Sequence, residues 1–404
     1  MTSTSEEIKK ASPYLTLIVA LLSMVAPFSI DAYLPAFPGI EAEFGVGRTV
    51  LTQSLGAYLA AYALSTLFWG PLADRIGRRL VILFSLMLYA VASAGCAMAS
   101  DVDTFLFLRI LQGLAASGGL VAGRAMIRDA HSAQAAHKAM SHVMLMFAIA
   151  PAIAPIIGAW LYDFFGWHSI FWFLTGLGVL LFVFVLFMAE TLSLSRRQSV
   201  HPLAVIKVYS KIVMHKRFLA LAFSMSFAFS GLFLYIAGAP TVIYDFLGLA
   251  SHDFSLQFVP MVLGMMLGSF ISSRLAHRWI TSKIVALGFS VMVTAGVLNF
   301  ISVSLFEAQV LTVIAPLVLY SVGMAIIMPA VTILALDCFP HNQGTAAAMQ
   351  SFIQMLICAS IASIAVPLLH TQWLFFVCGQ LVFVCIALVL WFGFGRVGRT
   401  VAVN

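Results

Sequence analysis

Charge is nearly absent from twelve long segments of this 404-residue chain and is concentrated in the short stretches between them. Each segment is about 20 residues or longer, the length an α-helix needs to cross a bilayer's hydrocarbon. In lipid every backbone N–H and C=O must find a partner within the protein, so uninterrupted apolar runs of this length are read as helices. Hydrophobic residues make up 62% of the chain and charged residues 9%, against roughly a quarter charged in soluble domains. The fold class predicted is an all-α polytopic membrane protein.

Hydropathy places helices near 14–36, 50–72, 80–100, 104–126, 139–162 and 168–189, then near 217–241, 254–276, 283–304, 309–334, 343–368 and 372–395. The longest hydrophilic stretch, from Glu190 to Arg217, divides them six and six. The predicted organisation is therefore a six-helix bundle over 1–189, a cytoplasmic inter-bundle loop over 190–216 and a second six-helix bundle over 217–404. The first apolar run is a full span ending in YLPAFP without a small-residue cleavage site, so it reads as helix 1 and not as a removable signal.

The charges test this count. With both termini in the cytoplasm, every Lys and Arg except Arg48 and Arg109 falls in a cytoplasmic loop or helix end, nineteen of the 21. The opposite loops collect Glu41, Glu43, Asp101, Asp103, Asp163, Asp245, Asp253 and Glu307. An error of one helix would scramble this segregation. The net charge of +6 thus reads as a membrane's cytoplasmic face and implies no nucleic-acid partner. The five cysteines, Cys96, Cys338, Cys358, Cys378 and Cys385, show no paired spacing, so neither a disulfide framework nor a metal site is expected. No cofactor is expected either.

Ionisable residues inside the membrane are expensive and mark function by default. Two stand out: Asp31 in SIDAYLPAFP, about six residues from the predicted outer end of helix 1, and Arg109 in FLRILQGLAA, about five from that of helix 4. Both are expected roughly 8 to 9 Å below the outer boundary, at matching depth. Low-dielectric surroundings favour the neutral form of a carboxylate, so Asp31 is a candidate proton carrier, and the permanent charge of Arg109 would oppose that effect on approach. The alternative reading of the residues alone is a fixed structural pair, or a role for Asp31 in capping or kinking helix 1 ahead of Pro35.

Between helices 2 and 3 lies GPLADRIGRR, Gly70 to Arg79, read as a ten-residue turn with four charges. The stretches after helices 4 and 10, IRDAHSAQAAHKAM and LDCFPHNQGTAAAM, look like diverged copies, whereas the counterpart of GPLADRIGRR after helix 8, GSFISSRLAHR, has decayed. Weak six-plus-six repetition suits a carrier with a midplane site between two bundles.

GPLADRIGRR resembles the signature loop between helices 2 and 3 of the major facilitator superfamily. Arg109, Gln112 and Gly113 in RILQGLAA are similar to the helix 4 pattern of its proton-coupled members. APAIAPIIGAWL resembles the antiporter motif of helix 5, keeping Pro151, Pro155 and Gly158 while Ala150, Ala154 and Ala159 stand where the general pattern has glycine. With RAMIRD, FGWHSIFW, AETL and FPHNQGTAAAM, the matches run in order along the whole chain and resemble the Bcr/CflA branch of the drug:proton antiporters, named for bicyclomycin and chloramphenicol resistance.

The resemblance implies the major facilitator fold, alternating access, and exchange of protons against drug-like small molecules or amphipathic metabolites, in a Gram-negative inner membrane, by a monomer. Asp31 and Arg109 would couple protons. Gly70, Asp74, Arg75, Gly77, Arg78 and Asp129 would form a conformational latch, with Asp74 facing the N-terminus of helix 11 near Gly344 and Arg78 pairing with Asp129; the alternative is that these charges only set topology. The cargo wall would include Tyr33, Tyr58, Tyr62, Gln112, Met144, Phe147, Phe227, Tyr235, Gln350 and Gln354, each of which reads equally well as a packing residue. The alternatives are a proton-coupled uptake symporter on the same fold, or a membrane-embedded enzyme. For the last no HExxH, no nucleophile elbow and no P-loop is present in the sequence.

Overall fold

A computed structural model describes residues 14–193, Ser195, Arg197 and 202–395. Twelve helices are long and apolar enough to span a membrane: α1 Leu15–Phe44, α2 Arg48–Ile76, α3 Arg78–Met98, α4 Val102–Ala130, α5 Gln134–Phe165, α6 His168–Leu186, α7 Lys216–Ala237, α8 Ser251–Ala276, α9 Thr281–Leu305, α10 Val310–Leu336, α11 Gln343–Leu369 and α12 Trp373–Gly393. Helices α1–α6 pack as one half and α7–α12 as the other, and the halves meet chiefly where α2 lies on α11 and α5 on α8. Successive spans run in opposite directions, so one end of the molecule is basic and the other acidic. Both termini, on which the cytoplasmic placement leans, lie outside the described residues, as does Arg196.

Most spans are longer than hydropathy predicts, because polar residues continue the helices past the apolar windows. The correction is largest at the basic end. GPLADRIGRR is not a ten-residue turn: Gly70, Asp74 and Arg75 are helical in α2, α3 starts at Arg78, and Gly77 alone breaks the path. Gly77 has φ 114°, and a Cβ there would meet Glu190 Oε2 at 2.5 Å, so glycine is required twice over. The turn after α4 likewise shrinks to His131 and Ser132, with Ser132 Oγ accepting from Ala135 N to start α5. The inter-bundle stretch is not simply a loop, since it carries the helix Pro202–Val213, which turns Ile212 inward and donates a hydrogen bond from Tyr209 to the Leu67 carbonyl of α2.

Helix α1 is broken where its chemistry lies. Regular helix runs Leu15–Asp31, a 3-10 turn follows at Leu34–Ala36, and a short helix Phe37–Phe44 completes the span. The predicted end at 36 is therefore the break itself, and α1 continues past it. Helix α5 packs tightly on this break, because a Cβ on Gly158 would overlap the Ala32 carbonyl. Ala150, Ala154 and Ala159 in the same helix are buried, so alanine at those positions still permits close packing.

Candidate functional site

Helix α4 starts from an N-cap: Asp101 accepts from Thr104 N and Thr104 Oγ1, both at 2.8 Å. These bonds hold the exposed Asp101 carboxyl below its usual range. Two turns further in stands Arg109, fully buried. It donates Nη1 to Gln112 Oε1 and Nη2 to the Ser29 carbonyl at 3.1 Å, while its Cζ lies 4.5 Å from the ring centroids of both Tyr33 and Tyr58. Gln112 passes the chain on to Ser93 at 2.7 Å, and Ser29 Oγ meets Tyr89 Oη at 2.7 Å. One guanidinium thus ties α1, α2, α3 and α4 together. A desolvated cation–π contact is worth about 2 kcal/mol, so two rings and a carbonyl stabilise this buried charge without a carboxylate.

Asp31 is buried, 3% exposed, and makes no ion pair with any described residue; its Oδ1 has no hydrogen-bond partner. The reason that Arg109 does not pair with it is helical geometry. Arg109 holds the side of α1 that carries Ser29 and Tyr33, and residues two apart on a helix do not face each other. The two ionisable groups do stand at one level, because Arg109 reaches the backbone two residues from Asp31. They remain chemically separate.

The second half has a buried polar cluster of different character. Asn299 of α9 donates Nδ2 to Tyr235 Oη at 2.8 Å and to Gln380 Oε1 at 2.9 Å, and Gln257 of α8 donates to the Tyr235 carbonyl at 2.7 Å. All four residues are fully buried, and none carries a charge. Of these, the sequence reading singled out Tyr235 alone. Asn299, Gln257 and Gln380 were detectable as rare amides within apolar runs.

At the basic end Arg78 pairs with Asp74 one turn earlier and with Asp129 of α4 at 3.1 Å. Asp74 makes no hydrogen bond to the start of α11; Arg78, four residues on, is the nearer counter-charge. The neighbour of Gly344 is instead Arg128, whose Nη1 lies 3.9 Å from where a Cβ would stand. Arg75 is exposed and outside this cluster, and a Cβ on Gly70 would make only ordinary contact with Val121. A residue the sequence reading passed over completes the junction. Glu190, in AETL, accepts from the backbone N–H of Arg78 at 3.2 Å and of Arg79 at 3.0 Å, and Arg79 donates to the Val185 and Leu186 carbonyls. An anion at the N-terminus of α3 and a cation at the C-terminus of α6 both oppose the helix dipoles favourably.

The acidic end is closed across the halves. Arg48 of α2 bonds Glu41 at 2.8 Å and Asp245 beyond α7 at 2.6 Å. Tyr244 Oη donates to the Pro35 carbonyl at 2.5 Å, and Ser251 Oγ to Asp163 at 2.5 Å. Burial holds the Tyr244 hydroxyl well above its ordinary value, so it stays a donor at any working pH.

Of the expected cargo wall, Tyr33, Tyr58 and Gln112 are drawn into the Arg109 cluster, and Tyr235 into the amide cluster. Tyr62 is buried one turn below Tyr58, with ring centroids 6.4 Å apart. Met144 is exposed, Phe147, Phe227 and Gln354 are half-buried, and Gln350 bonds Thr332 at 3.2 Å. In α5 Pro151 is half-buried and Pro155 buried. No group of three or more His, Cys, Asp and Glu among the described residues is arranged to hold a metal.

The model of a family described as Major Facilitator Superfamily matches residues 19–362. A chloramphenicol resistance protein of Pseudomonas aeruginosa is 29% identical over 365 residues, 88% of this chain and 85% of that protein. A bicyclomycin resistance protein homolog of Haemophilus influenzae is 30% identical over 271 residues, 67% of this chain and 68% of that protein. Among solved structures, a bacterial homolog of the human lysosomal transporter Spinster, inward-facing and occupied, superposes with a TM-score of 0.74 at 12% identity, covering 96% of this chain and 98% of that one.

Proposed function

This chain belongs to the major facilitator superfamily, and we propose that it exports drug-like small molecules of the bicyclomycin and chloramphenicol type in exchange for protons. Relatives named for resistance to those drugs, similar over most of their length, support the cargo class. The observation that carries the coupling is Asp31: a carboxylate buried at the break of α1, with an unpartnered oxygen, beside an arginine already held by other groups. A charge so placed needs a counter-charge or a proton. Arg109 organises the half, and Asp31 is left to exchange the proton.

In this reading the protein is a multi-pass bacterial inner-membrane protein with the basic end and both termini in the cytoplasm. It works as a monomer, without nucleic acid or covalent chemistry. The sealed acidic end then faces outward, and cargo meets the site from the cytoplasm. Opening outward breaks the Arg48–Asp245 and Tyr244–Pro35 contacts, while Asp74, held by Arg78, swings against the start of α11 as the basic end closes. Differential stabilisation of the two states by the proton and the cargo drives the exchange.

Drug-dependent proton movement in energised inverted vesicles tests the reading. Chloramphenicol or bicyclomycin should dissipate the pH gradient only when the wild-type protein is present. No response to either compound, with the protein inserted, sinks drug:proton antiport.

A further inference from the structure

Two helices are broken near the acidic end, and each break is held by a side chain from another helix. In α1, whose regular part ends at Asp31, Arg109 takes the Ser29 carbonyl. In α7, which ends at Ala237, Gln257 of α8 takes the Tyr235 carbonyl at 2.7 Å. Both carbonyls lie two residues before the helix end, among the last four that find no partner in their own helix. The break in α7 has a cause in the sequence, since Pro240 has no N–H to continue the ladder and its ring crowds the Ile236 carbonyl. Gly238 beside it packs so closely on α12 that a Cβ would overlap the Phe376 ring.

Beyond the break the chain turns over as a π-helical segment, Thr241–Phe246, and enters α8 at Ser251. Backbone bonds from Leu247 to Val242 and from Leu249 to Ile243 make this stretch compact. It carries Tyr244, Asp245 and Ser251, three of the groups that close the acidic end across the halves. Its return path has a weak point as well, because Pro260 removes an N–H from the α8 ladder. Gln257 thus stands inside a flap bounded by two prolines and reaches back to the helix end outside it. The residue is fully buried, and among the described residues this is the one hydrogen bond its side chain makes, with Oε1 unpartnered. Burying an amide with half its capacity unmet costs free energy, so an apolar residue would pack there more favourably. What an apolar residue lacks is the bond across the break.

We propose that Gln257 is the positioning residue of the outer gate: it locks the flap 238–259 at the angle that brings Tyr244 to Pro35, Asp245 to Arg48 and Ser251 to Asp163. Releasing it frees the flap alone, without the counter-movement at the basic end that rotation of whole halves entails. That the acidic end opens in the working cycle rests on the transport reading above; the lock itself is a property of the fold.

Spin-label distances on the full-length protein in nanodiscs test this, with one pair at the exposed Ala42 and Ala250 of the acidic end and another at the exposed Ser141 and His277 of the basic end. Gln257→Met, which keeps the length and loses the donor, should raise the open population of the acidic pair about five-fold, the size of one hydrogen bond. The basic pair should not change. Gln257→Asn, with its donor one carbon short, should act in the same direction more weakly, and reads out the same contact should the methionine variant not fold. Asn299→Leu, which cuts the other bonds of the same cluster, should lower the unfolding temperature and leave both pairs alone. Unchanged acidic distances in the Gln257 variants, a basic pair that closes in step, or equal opening in Asn299→Leu overturns the proposal. The chloramphenicol-driven proton assay is independent of these distances. Its failure with a flap that opens removes antiport and keeps Gln257 in this role; its success with an immobile flap does the reverse.

Discussion

In the N-terminal half, a guanidinium held by Ser29, Gln112, Tyr33 and Tyr58 ties four helices, and an unpaired carboxylate stands nearby at the break of α1. In the C-terminal half, Asn299, Gln380, Gln257 and Tyr235 tie α7, α8, α9 and α12 with amide and hydroxyl bonds alone. The basic ends differ in the same way. Arg78 bridges two aspartates in one half, whereas in the other Arg274 lies over the Phe270 ring, 5.1 Å from its centroid, and Asp337 has no ion pair among the described residues. The two halves thus carry polar clusters of different chemistry, a buried charge in one and neutral amides in the other; under the proposed function, proton exchange belongs to the charged half.

The sharpest way to break that division is Asp31→Asn, which keeps the shape and removes the titrating group. Drug-dependent proton movement should be abolished while insertion and thermal stability are retained. Coupling that survives would move the proton to the C-terminal half and dissolve the contrast. Arg109→Lys should come next. Lysine keeps the charge but cannot hold Gln112 and the Ser29 carbonyl together. Losing one charged hydrogen bond at about 1.5–3 kcal/mol corresponds to a fall in transport of roughly 10- to 100-fold. Full activity in Arg109→Lys would reduce the residue to a point charge.

The charged half was the legible one. Asp31 and Arg109 declare themselves because a charge in an apolar run is rare, and RILQGLAA marks Arg109 further. Their lack of a mutual bond was not legible, since it depends on which side of α1 meets α4. Tyr33 and Tyr58 were placed on a cargo wall because the aromatic count says nothing about a guanidinium arriving from another helix. The amide cluster left a fainter trace, as Asn299 and Gln380 cost hydropathy little and find each other only across three helices. Of the residues expected in a latch, Asp74, Arg78 and Asp129 meet while Arg75 and Gly70 stand apart, and the turn was drawn nine residues too long, because hydropathy stops where charge begins and the helix does not. Glu190 was visible only as part of AETL, with no hint that it caps α3 from 112 residues away.

A smaller effect is expected from the neutral half. Asn299→Leu strands Tyr235 Oη and Gln380 Oε1, and hydrogen bonds of this kind inside membranes contribute about 0.6 to 1.7 kcal/mol. The unfolding temperature should fall modestly, yet the protons moved per drug should not change. A changed ratio in Asn299→Leu would mean that the amide cluster belongs to the coupling machinery.

The smallest effect belongs to the contact that joins the halves. Arg48 is the lone Arg or Lys among the described residues of the acidic end, and Asp245, which it holds across the seal, is half-open to solvent at 46%. Exposed ion pairs contribute about 0.2–1 kcal/mol, so Arg48→Gln should shift the balance toward outward opening by no more than about five-fold. Spin-label distances between the acidic ends of α1 and α8 measure that shift directly. Because the Tyr244 hydroxyl stays protonated and still donates to Pro35, the Arg48→Gln seal should open without gaining a new pH dependence. A seal that became strongly pH-sensitive on losing Arg48 would place a second titrating switch between the halves, and proton exchange would no longer belong to the N-terminal half alone.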